Sequence, residues 1–341
     1  MTHRFPIKEI ARQAGLGPAT IDRVINNRAH VSPQTRARVK AAIVELEGQE
    51  AQLAARGRRM FFDFVIEAPS RFSHEVKTAT ERVVTQIGAA VCRPRFQIQE
   101  IMSDSEVVKT LERIVKRGSH GVCLKTRDVP AVRHAVETLA EAGIPVVSLV
   151  TDVRTPGRVA YVGLDNESAG RTAAYLVATA LGRTTGMALV IRSNDQFWGE
   201  EEREAGFADS LKQMCPNLRI LGVSGGSGVH QETARVMDNA SDQLSNLRAV
   251  YSVGGGNRTI LDRLRSDDLT PNIYIAHDLD RDNRALIQRS EISFVLHHNL
   301  ITDITSVFHA FLQYHKLLPG KPATELSNVQ LITPFNIPQQ T

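Results

Sequence analysis

From Phe61 onward, short apolar runs alternate with longer amphipathic stretches, and this alternation limits the possible folds more than any other feature of the chain. Such runs predict buried strands, and the stretches between them predict helices. The predicted strands are 61–66, 96–101, 121–124, 145–149, 160–164, 187–191, 219–223, 249–253, 272–276 and 293–296, with one last strand at 328–337. Alternation at this spacing is typical of βαβ units and mostly parallel sheets.

About ten strands exceed one comfortable open sheet, so the pattern predicts two doubly wound α/β lobes. The predicted helices between the strands are 74–88, 106–117, 129–142, 167–181, 200–214, 230–244, 258–265, 280–288 and 301–315. We expect an N-lobe of about 61–164 and 298–327, and a C-lobe of about 165–297 and 328–341, together the region 61–341.

Residues 1–47 are predicted to form a separate all-α head of three short helices. Apolar residues recur at helical spacing before Gly15, which acts as a stop signal, and Pro18 suits the first turn of a second helix. Ser32 and Pro33 predict the start of the third. Two helices joined by a tight glycine-containing turn are typical of a helix-turn-helix, whose second helix enters the major groove of DNA.

The charge of the chain is concentrated in this head. Residues 1–60 hold 11 Lys and Arg against 5 Asp and Glu, a net charge of +6, whereas the rest holds 30 against 32, a net of −2. A basic head on a near-neutral body indicates a polyanion partner for the head alone. The candidate DNA contacts are the start of the second helix and nearby polar residues: Gly17, Pro18, Ala19, Thr20, Arg23, Asn26, His30 and Thr35. Arg23 suits either a guanine edge or a phosphate.

Other features exclude several classes of protein. Cys92, Cys123 and Cys215 have no C-x-x-C spacing, which argues against a disulfide framework or a zinc site and favours buried free thiols. The first ten residues lack the apolar core of a secretory signal, and no run approaches the length of a membrane span. We therefore expect a cytoplasmic protein. Residues 48–60 are polar and end basic, and we predict a hinge linker with at most one or two helical turns.

The head resembles that of the lactose/galactose-repressor family of bacterial transcription factors. The matching residues are Ile10-Ala11, Ala14-Gly15, Ala19-Thr20-Ile21, Arg23-Val24, Asn26, Val31-Ser32 and Thr35-Arg36. Asp22 places the chain in a Thr-x-Asp-Arg-Val subgroup, and Pro18 and Ala19 are small apolar residues at recognition positions. The resemblance spans essentially the whole chain, because an α/β body follows at the expected distance.

This resemblance implies a homodimer on pseudo-palindromic operator DNA, with a hinge helix that wedges an aliphatic side chain into the minor groove. Leu53 is the wedge candidate and Arg56 a further hinge contact, although the linker lacks the family's usual Pro-Asn start and late leucine. No leucine heptad follows Ile337, so we expect no tetramerising tail.

The body is similar to periplasmic sugar-binding proteins, whose ligand lies between two lobes at the carboxyl ends of strands. The resulting effector-binding candidates are Phe72, Asp152, Trp198, Arg203, Asn257, Asp278 and His298. Arginine and aspartate pair with vicinal hydroxyls, and an aromatic face covers the C–H groups of a sugar, cyclitol or polyol. The alternatives are that Arg203 and Asp278 form surface ion pairs, and that Phe72 and Trp198 belong to the core.

Two glycine clusters, 225–228 and 254–256, each follow a predicted strand. Such loops suit phosphate binding, a tight turn or close backbone approach, and neither matches a nucleotide-binding fingerprint. The adjacent His297 and His298 point to opposite faces of a strand, which argues against a metal site.

The sequence has no nucleophile elbow and no metal-protease or cofactor motif, so we expect no catalytic residue, metal or cofactor. The leading interpretation is a transcriptional regulator, most often a repressor in this family, controlled by a small sugar or polyol. The alternatives are a cytoplasmic sugar-metabolising enzyme and a stand-alone sugar-binding protein, both on a doubly wound fold.

Overall fold

The computed structural model describes residues 4–29, 31–55, 59–88 and 90–339, with residues 50–55 described by their backbone alone. It contains a helical head and an α/β body of two lobes, each built on its own largely parallel sheet. The predicted fold class is therefore confirmed.

The head consists of α1 (Ile7–Ala14), α2 (Pro18–Ile25) and α3 (Pro33–Ala55). Gly15 ends α1 in the left-handed conformation, with φ 59°, so that the Leu16 amide donates to the Ala11 carbonyl. The three helices enclose a small apolar core formed by Phe5, Ile10, Ala11, Ala14, Ile21, Val39, Ala42 and Leu46. This core fixes the turn between α1 and α2 and leaves the outer face of α2 free.

The third helix is much longer than the sequence predicted. It continues through Ala55, so residues 48–55 of the expected linker are helical. Beyond Gly48 this segment holds strong helix formers, including three alanines, and no proline interrupts it. Residues 48–55 amount to about two helical turns, the upper limit of the prediction, but they continue α3 instead of forming a separate segment. The first strand of the body begins at Arg59.

The N-lobe is formed by β1 (Arg59–Glu67), α4 (Ser70–Gln86), β2 (Val91–Gln99), α5 (Asp104–Arg117), β3 (Val122–Lys125), α6 (Pro130–Glu141), β4 (Val146–Leu149) and β5 (Ala160–Leu164). Two later elements, α12 (Leu300–Tyr314) and β11 (Glu325–Ser327), complete it. The sheet order is β11-β5-β4-β3-β1-β2, and every pairing is parallel. In its core, Phe62 stacks on Phe311 with 5.0 Å between ring centroids.

The second strand begins earlier than predicted, at Val91 instead of Phe96. Pro94 pairs with Phe62 inside the strand. This is possible because β2 lies at the edge of its sheet, where a missing amide donor leaves no strand partner unsatisfied.

The C-lobe contains α7 (Asn166–Leu181), β6 (Gly186–Arg192), α8 (Trp198–Met214), β7 (Leu218–Ser224), α9 (His230–Ala240), β8 (Leu247–Ser252), α10 (Asn257–Ser266), β9 (Ile273–His277), α11 (Arg281–Gln288), β10 (Phe294–His297) and β12 (Gln330–Ile332). The order is β12-β10-β9-β8-β6-β7, with only β12 antiparallel. Of the predicted strand at 328–337, only Gln330–Ile332 is a strand, β12, and the short strand β11 that precedes it in the N-lobe sheet was not predicted.

The chain passes between the lobes three times, after β5, before α12 and between β11 and β12. The three cysteines are buried and free, as predicted. Within the described part of the chain, no helix is both long and apolar enough to cross a membrane.

Candidate ligand cleft and DNA-contacting surface

A cavity lies between the lobes, where the carboxyl ends of both sheets face each other. Clefts at the carboxyl ends of strands in such folds are usual sites for small organic ligands. Its lining combines aromatic rings with charged side chains from both lobes, namely Glu67, Arg71, Phe72, Glu100 and Lys125 of the N-lobe and Phe197, Glu200, Arg203, His277, Asp278 and Asp280 of the C-lobe.

Three of the predicted effector residues line this cavity: Phe72, Arg203 and Asp278. Phe72 is on the first turn of α4, whereas Arg203 is on α8 and Asp278 follows β9. Arg203 is only 3% exposed, which excludes the alternative of a surface ion pair for this residue. Its guanidinium donates to the Asn166 side-chain oxygen at 2.8 Å and to the Val253 carbonyl at 3.3 Å. Two of its five N–H groups are thereby used, which leaves donors for a ligand.

Asp278 is held by a buried network behind the cavity. Nε2 of His298 lies 3.2 Å from Asp278 Oδ1, while Nδ1 of His298 contacts the Asp303 carboxylate. Asp303 also accepts a hydrogen bond from Ser327 of β11. Because Asp303 is on α12, the network joins the C-lobe carboxylate to the N-lobe.

The charges of this network reinforce one another. Burial lowers the pKa of His298, but hydrogen bonds to Asp278 and Asp303 overcome this effect and raise it to about 9. Burial raises the pKa of Asp278, but the hydrogen bond and charge of His298 dominate and hold that pKa well below its ordinary value. An imidazolium therefore lies between two carboxylates at neutral pH.

His298 is fully buried and does not line the cavity, so its predicted direct contact with the effector is replaced by a contact with Asp278. Its neighbour His297 is turned away and accepts from the Leu279 amide, so the two rings do not converge. In the part of the chain that the structure describes, no group of three His, Cys, Asp or Glu could hold a metal.

Three other predicted effector residues also lie outside the cavity lining. Asp152 pairs with Arg158 at 2.7 Å. The indole of Trp198 is covered by the Arg154 guanidinium, 3.4 Å from the ring centroid. The aromatic wall is supplied instead by the preceding Phe197, whose backbone is extended just before α8, whereas Trp198 is the first residue of that helix.

Asn257, the third of these, supports the site from behind. It is buried at the start of α10, accepts from Tyr274 and donates to the Asn283 side-chain oxygen at 2.7 Å. Asn283 in turn donates to the backbone carbonyl of Asp278 at 2.7 Å. This series of hydrogen bonds stabilises the backbone of Asp278, whose φ of 63° is unusual for a residue other than glycine.

Sequence reasoning missed Arg71, which joins the lobes at the mouth of the cavity. Arg71 lies beside Phe72 on α4, and its Nε is 2.7 Å from Oδ2 of Asp280 in the C-lobe. Its Nη1 also donates to the Gly228 carbonyl at 2.9 Å. The lobes are also joined through backbone atoms, because the Asp128 amide donates a hydrogen bond to the Gln196 carbonyl at 2.9 Å.

The two glycine clusters form a socket for the Arg71 side chain. A Cβ added at Gly228 would lie 2.9 Å from Arg71 Nη2, and one added at Gly255 would lie 2.6 Å from the same atom. Both glycines have positive φ, 64° and 87°. Among the three roles considered for these clusters, the structure supports close approach, because Gly228 and Gly255 leave room for the Arg71 side chain of the opposite lobe.

Lys125 was missed as well, although a lysine ending an otherwise apolar strand was a usable signal. It is the last residue of β3 and only 9% exposed. Its Nζ donates to the Glu67 carbonyl at 3.0 Å and lies 4.4 Å from the centroid of the Phe197 ring. Burial lowers the pKa of Lys125, against the attraction of nearby carboxylates.

In the head, the start of α2 forms a continuous exposed surface. Gly17, Pro18, Ala19 and Arg23 are exposed and Thr20 is half-buried, while Ile21 anchors the helix in the core. This is the orientation in which a recognition helix presents its first turn to a groove. The roles of these residues in DNA binding stay predictions.

The polar residues around α2 are partly engaged with one another. Asn26 donates to the Asp22 carboxylate at 2.8 Å, and Arg28 lies 3.1 Å from the same carboxylate. Arg28 therefore offsets the charge that would repel phosphate at Asp22. Thr35 shares a hydrogen bond with Ser32 at the start of α3.

Three further predicted contacts lie outside the described residues: His30, Arg56 and the side chain of Leu53. Their roles in DNA binding stay predictions from the sequence.

Comparison with known families gives one match to the head and one to most of the body. The family described as bacterial regulatory proteins, lacI family, matches residues 6–47, and the family described as periplasmic binding protein domain matches residues 41–300.

Two curated relatives are helix-turn-helix transcriptional regulators. One, in the aml 5′ region of Streptomyces limosus, is 27% identical over 62% of this chain. The chain spans about 60% of the length of that relative. The other, CelR of Thermobifida fusca, is 28% identical over 73% of each chain.

Among solved structures, a solute-binding protein of an ABC transporter from Burkholderia graminis, in complex with D-arabinose, superposes with a TM-score of 0.73. It is 19% identical, and the match covers 81% of this chain and 96% of that one. At this identity the likeness supports the fold of the body alone.

Proposed function

This chain belongs to the periplasmic binding protein domain family and carries a lacI-family head, and from this we propose that it is a transcriptional regulator whose DNA affinity is set by a small ligand in the cleft. The observation that supports the proposal is that one chain contains both a DNA-binding type of head and a ligand-binding type of body. A basic helix-turn-helix precedes a two-lobed body whose cavity takes side chains from both lobes. The protein acts by binding and not by catalysis, on chromosomal DNA in the cytoplasm.

The proposed ligand is a small polyhydroxylated molecule such as a sugar, cyclitol or polyol. Asp278 offers carboxylate oxygens to hydroxyl groups, Arg203 offers the free N–H groups of its guanidinium, and Phe72 and Phe197 provide apolar faces. Binding of D-arabinose by the Burkholderia protein, which shares the fold of the body, agrees with this ligand class.

The proposed DNA partner is a pseudo-palindromic operator bound by a homodimer. Two heads, each presenting the first turn of α2, would read half-sites about one helical turn apart. Ligand binding changes the angle between the lobes, which moves the two heads relative to each other and shifts operator affinity.

The direct test is fluorescence-anisotropy titration of the full chain on DNA from upstream of its own gene. Random DNA of the same length and composition serves as the reference. We expect tighter binding to the upstream DNA and a steep loss of affinity with salt, because neutralised phosphates release counterions. Equal affinity for both DNAs at every salt concentration would refute a sequence-specific regulator.

A further inference from the structure

The end of the N-lobe at which the chain enters the body is more basic than the rest of the body. Strands β1 and β2 begin there, and helices α4, α5, α6 and α12 end there. The residues at this end are 59–63, 81–88, 90–95, 112–121, 137–145, 155–160 and 315–325, which together hold ten Lys and Arg against six Asp and Glu, a net charge of +4. Residues 61–341 as a whole have a net charge of −2, so the concentration of positive charge is local.

Two arginines at this end are held by one buried carboxylate. Asp63 of β1 is fully buried and lies 2.8 Å from Nη2 of Arg95 and 2.6 Å from Nη2 of Arg117. The two arginine side chains remain 27% and 43% exposed. Because a guanidinium carries five N–H groups, the pair keeps donors for a further anion after it has neutralised Asp63, and its fixed geometry suits the oxygens of a phosphate.

Three exposed cations lie around this pair. Arg59 begins β1, Arg93 precedes Arg95 by two residues on β2, and Lys116 is next to Arg117 at the end of α5. Among the described residues, none of these three forms an ion pair. Their mutual repulsion is unfavourable unless an anion binds across them, so a structural role as partners of Asp63 does not account for the whole group.

The length of the connection keeps this end of the body close to the head. Helix α3 ends at Ala55 and β1 begins at Arg59, so four steps along the backbone, at most roughly 15 Å, separate the two elements. The predicted hinge contacts with DNA, Leu53 and Arg56, lie in the sequence beside the end of α3. DNA bound at the hinge is thereby kept next to the N-lobe.

We propose that a basic patch, formed by Arg59, Arg93, Arg95, Lys116 and Arg117, is a second DNA-contacting surface that binds phosphates of the DNA held by the head. Contacts of this kind add affinity and read no base sequence. The inference rests on the proposed function and extends it, because the charge of the sequence alone assigned the polyanion partner to the head.

The test uses two double variants of the full chain, each of which replaces one exposed arginine and one exposed lysine. Arg93→Gln with Lys116→Gln alters the basic patch and leaves the partners of Asp63 intact. Arg183→Gln with Lys212→Gln is the matched control, because both side chains are exposed in the C-lobe and form no ion pair with any described residue. The two variants have the same net charge.

Fluorescence anisotropy gives the dissociation constants at several salt concentrations, on upstream DNA and on random DNA of the same length. Each phosphate contact contributes about 0.9 to the slope of log affinity against log salt, so we expect the patch variant to have a slope that is shallower by about 1–2. At low salt its affinity for both DNAs should fall by at least about threefold, while the control variant matches the wild type.

Wild-type affinity and slope in the patch variant would overturn the inference. Equal weakening of the control variant would also overturn it, because the effect would then come from net charge and not from this surface. Backbone contacts do not depend on sequence, so random DNA tests the patch even when upstream DNA is not preferred. Absence of that preference alone would refute the proposed function, and a wild type that binds neither DNA would refute both.

Discussion

Nε of Arg71 in the N-lobe lies 2.7 Å from Oδ2 of Asp280 in the C-lobe, so an ion pair joins the two lobes across the cleft. The side chains are 19% and 6% exposed. Because both ends are largely removed from water, loss of one partner leaves the other charge unpaired at the lobe interface.

We therefore expect Arg71→Ala to open the cleft at a cost to the closed form of about 1–3 kcal/mol. Small-angle scattering should give a larger radius of gyration for this variant than for wild type. Arg93→Ala, which removes an exposed arginine from β2, is the matched control and should leave the radius unchanged. Identical scattering from all three chains would show that Arg71 does not hold the lobes together.

The glycines around Arg71 allow a second test of how the cleft is held closed, by substitution of Gly255. An alanine there must adopt φ 87°, and its Cβ would meet Arg71 Nη2 at 2.6 Å, so Gly255→Ala should displace Arg71 and open the cleft. Gly143→Ala is the control, because Gly143 has a similar φ of 72° but open space around an added Cβ. The double variant with Arg71→Ala should be no more open than either single variant. Additive opening would mean that the glycine acts independently of Arg71.

His298 gives a pH prediction. Its pKa is raised from 6.5 to about 9 in the folded chain, so its stabilising contribution is complete below about pH 6.5 and is lost as the pH rises through 9. Two neighbouring imidazoles stay neutral over this range, because burial lowers the pKa of His277 and brings that of His297 to about 4. The melting-temperature difference between wild type and His298→Gln should be largest near pH 6 and shrink towards pH 10. A difference that stays constant across this range would place no charge on His298.

We expect substitution of Arg23 to weaken binding to the operator more than binding to random DNA. Arg23→Ala should weaken operator binding by about 1–3 kcal/mol if the side chain contacts a base, and should weaken binding to random DNA less. Lys40→Ala removes an exposed charge from α3 and controls for the general effect of charge. Competition titrations on both DNAs measure the difference. An equal loss on operator and random DNA would assign Arg23 to a phosphate.

The sequence was sufficient for the order of most strands and helices, because most buried strands of the body are short apolar runs and most of the helices between them are amphipathic. It failed where tertiary context decides the outcome. Pro94 is tolerated only because β2 lies at an edge, and residues 48–55 continue α3 although they have no wide apolar face.

At the cleft, three side chains that the cavity receives were predicted from the sequence, whereas contacts across the lobes were not. Phe72, Arg203 and Asp278 line the cavity because the carboxyl ends of the strands converge there. Arg71 and Lys125 were missed because their significance depends on what the opposite lobe presents: a glycine socket for one, and for the other the ring of Phe197. Trp198 was chosen in place of Phe197 because the sequence does not show which of two adjacent aromatic residues at a helix start faces the cavity.

The central claim is that closure of the cleft sets the affinity of the head for DNA. The most direct test needs no ligand: operator dissociation constants are compared for wild type, Gly255→Ala and Gly143→Ala, whose heads are identical. We expect Gly255→Ala to change operator affinity by at least about fivefold and Gly143→Ala to leave it unchanged. The same operator affinity in all three chains, with the cleft of Gly255→Ala shown to be open by scattering, would contradict it.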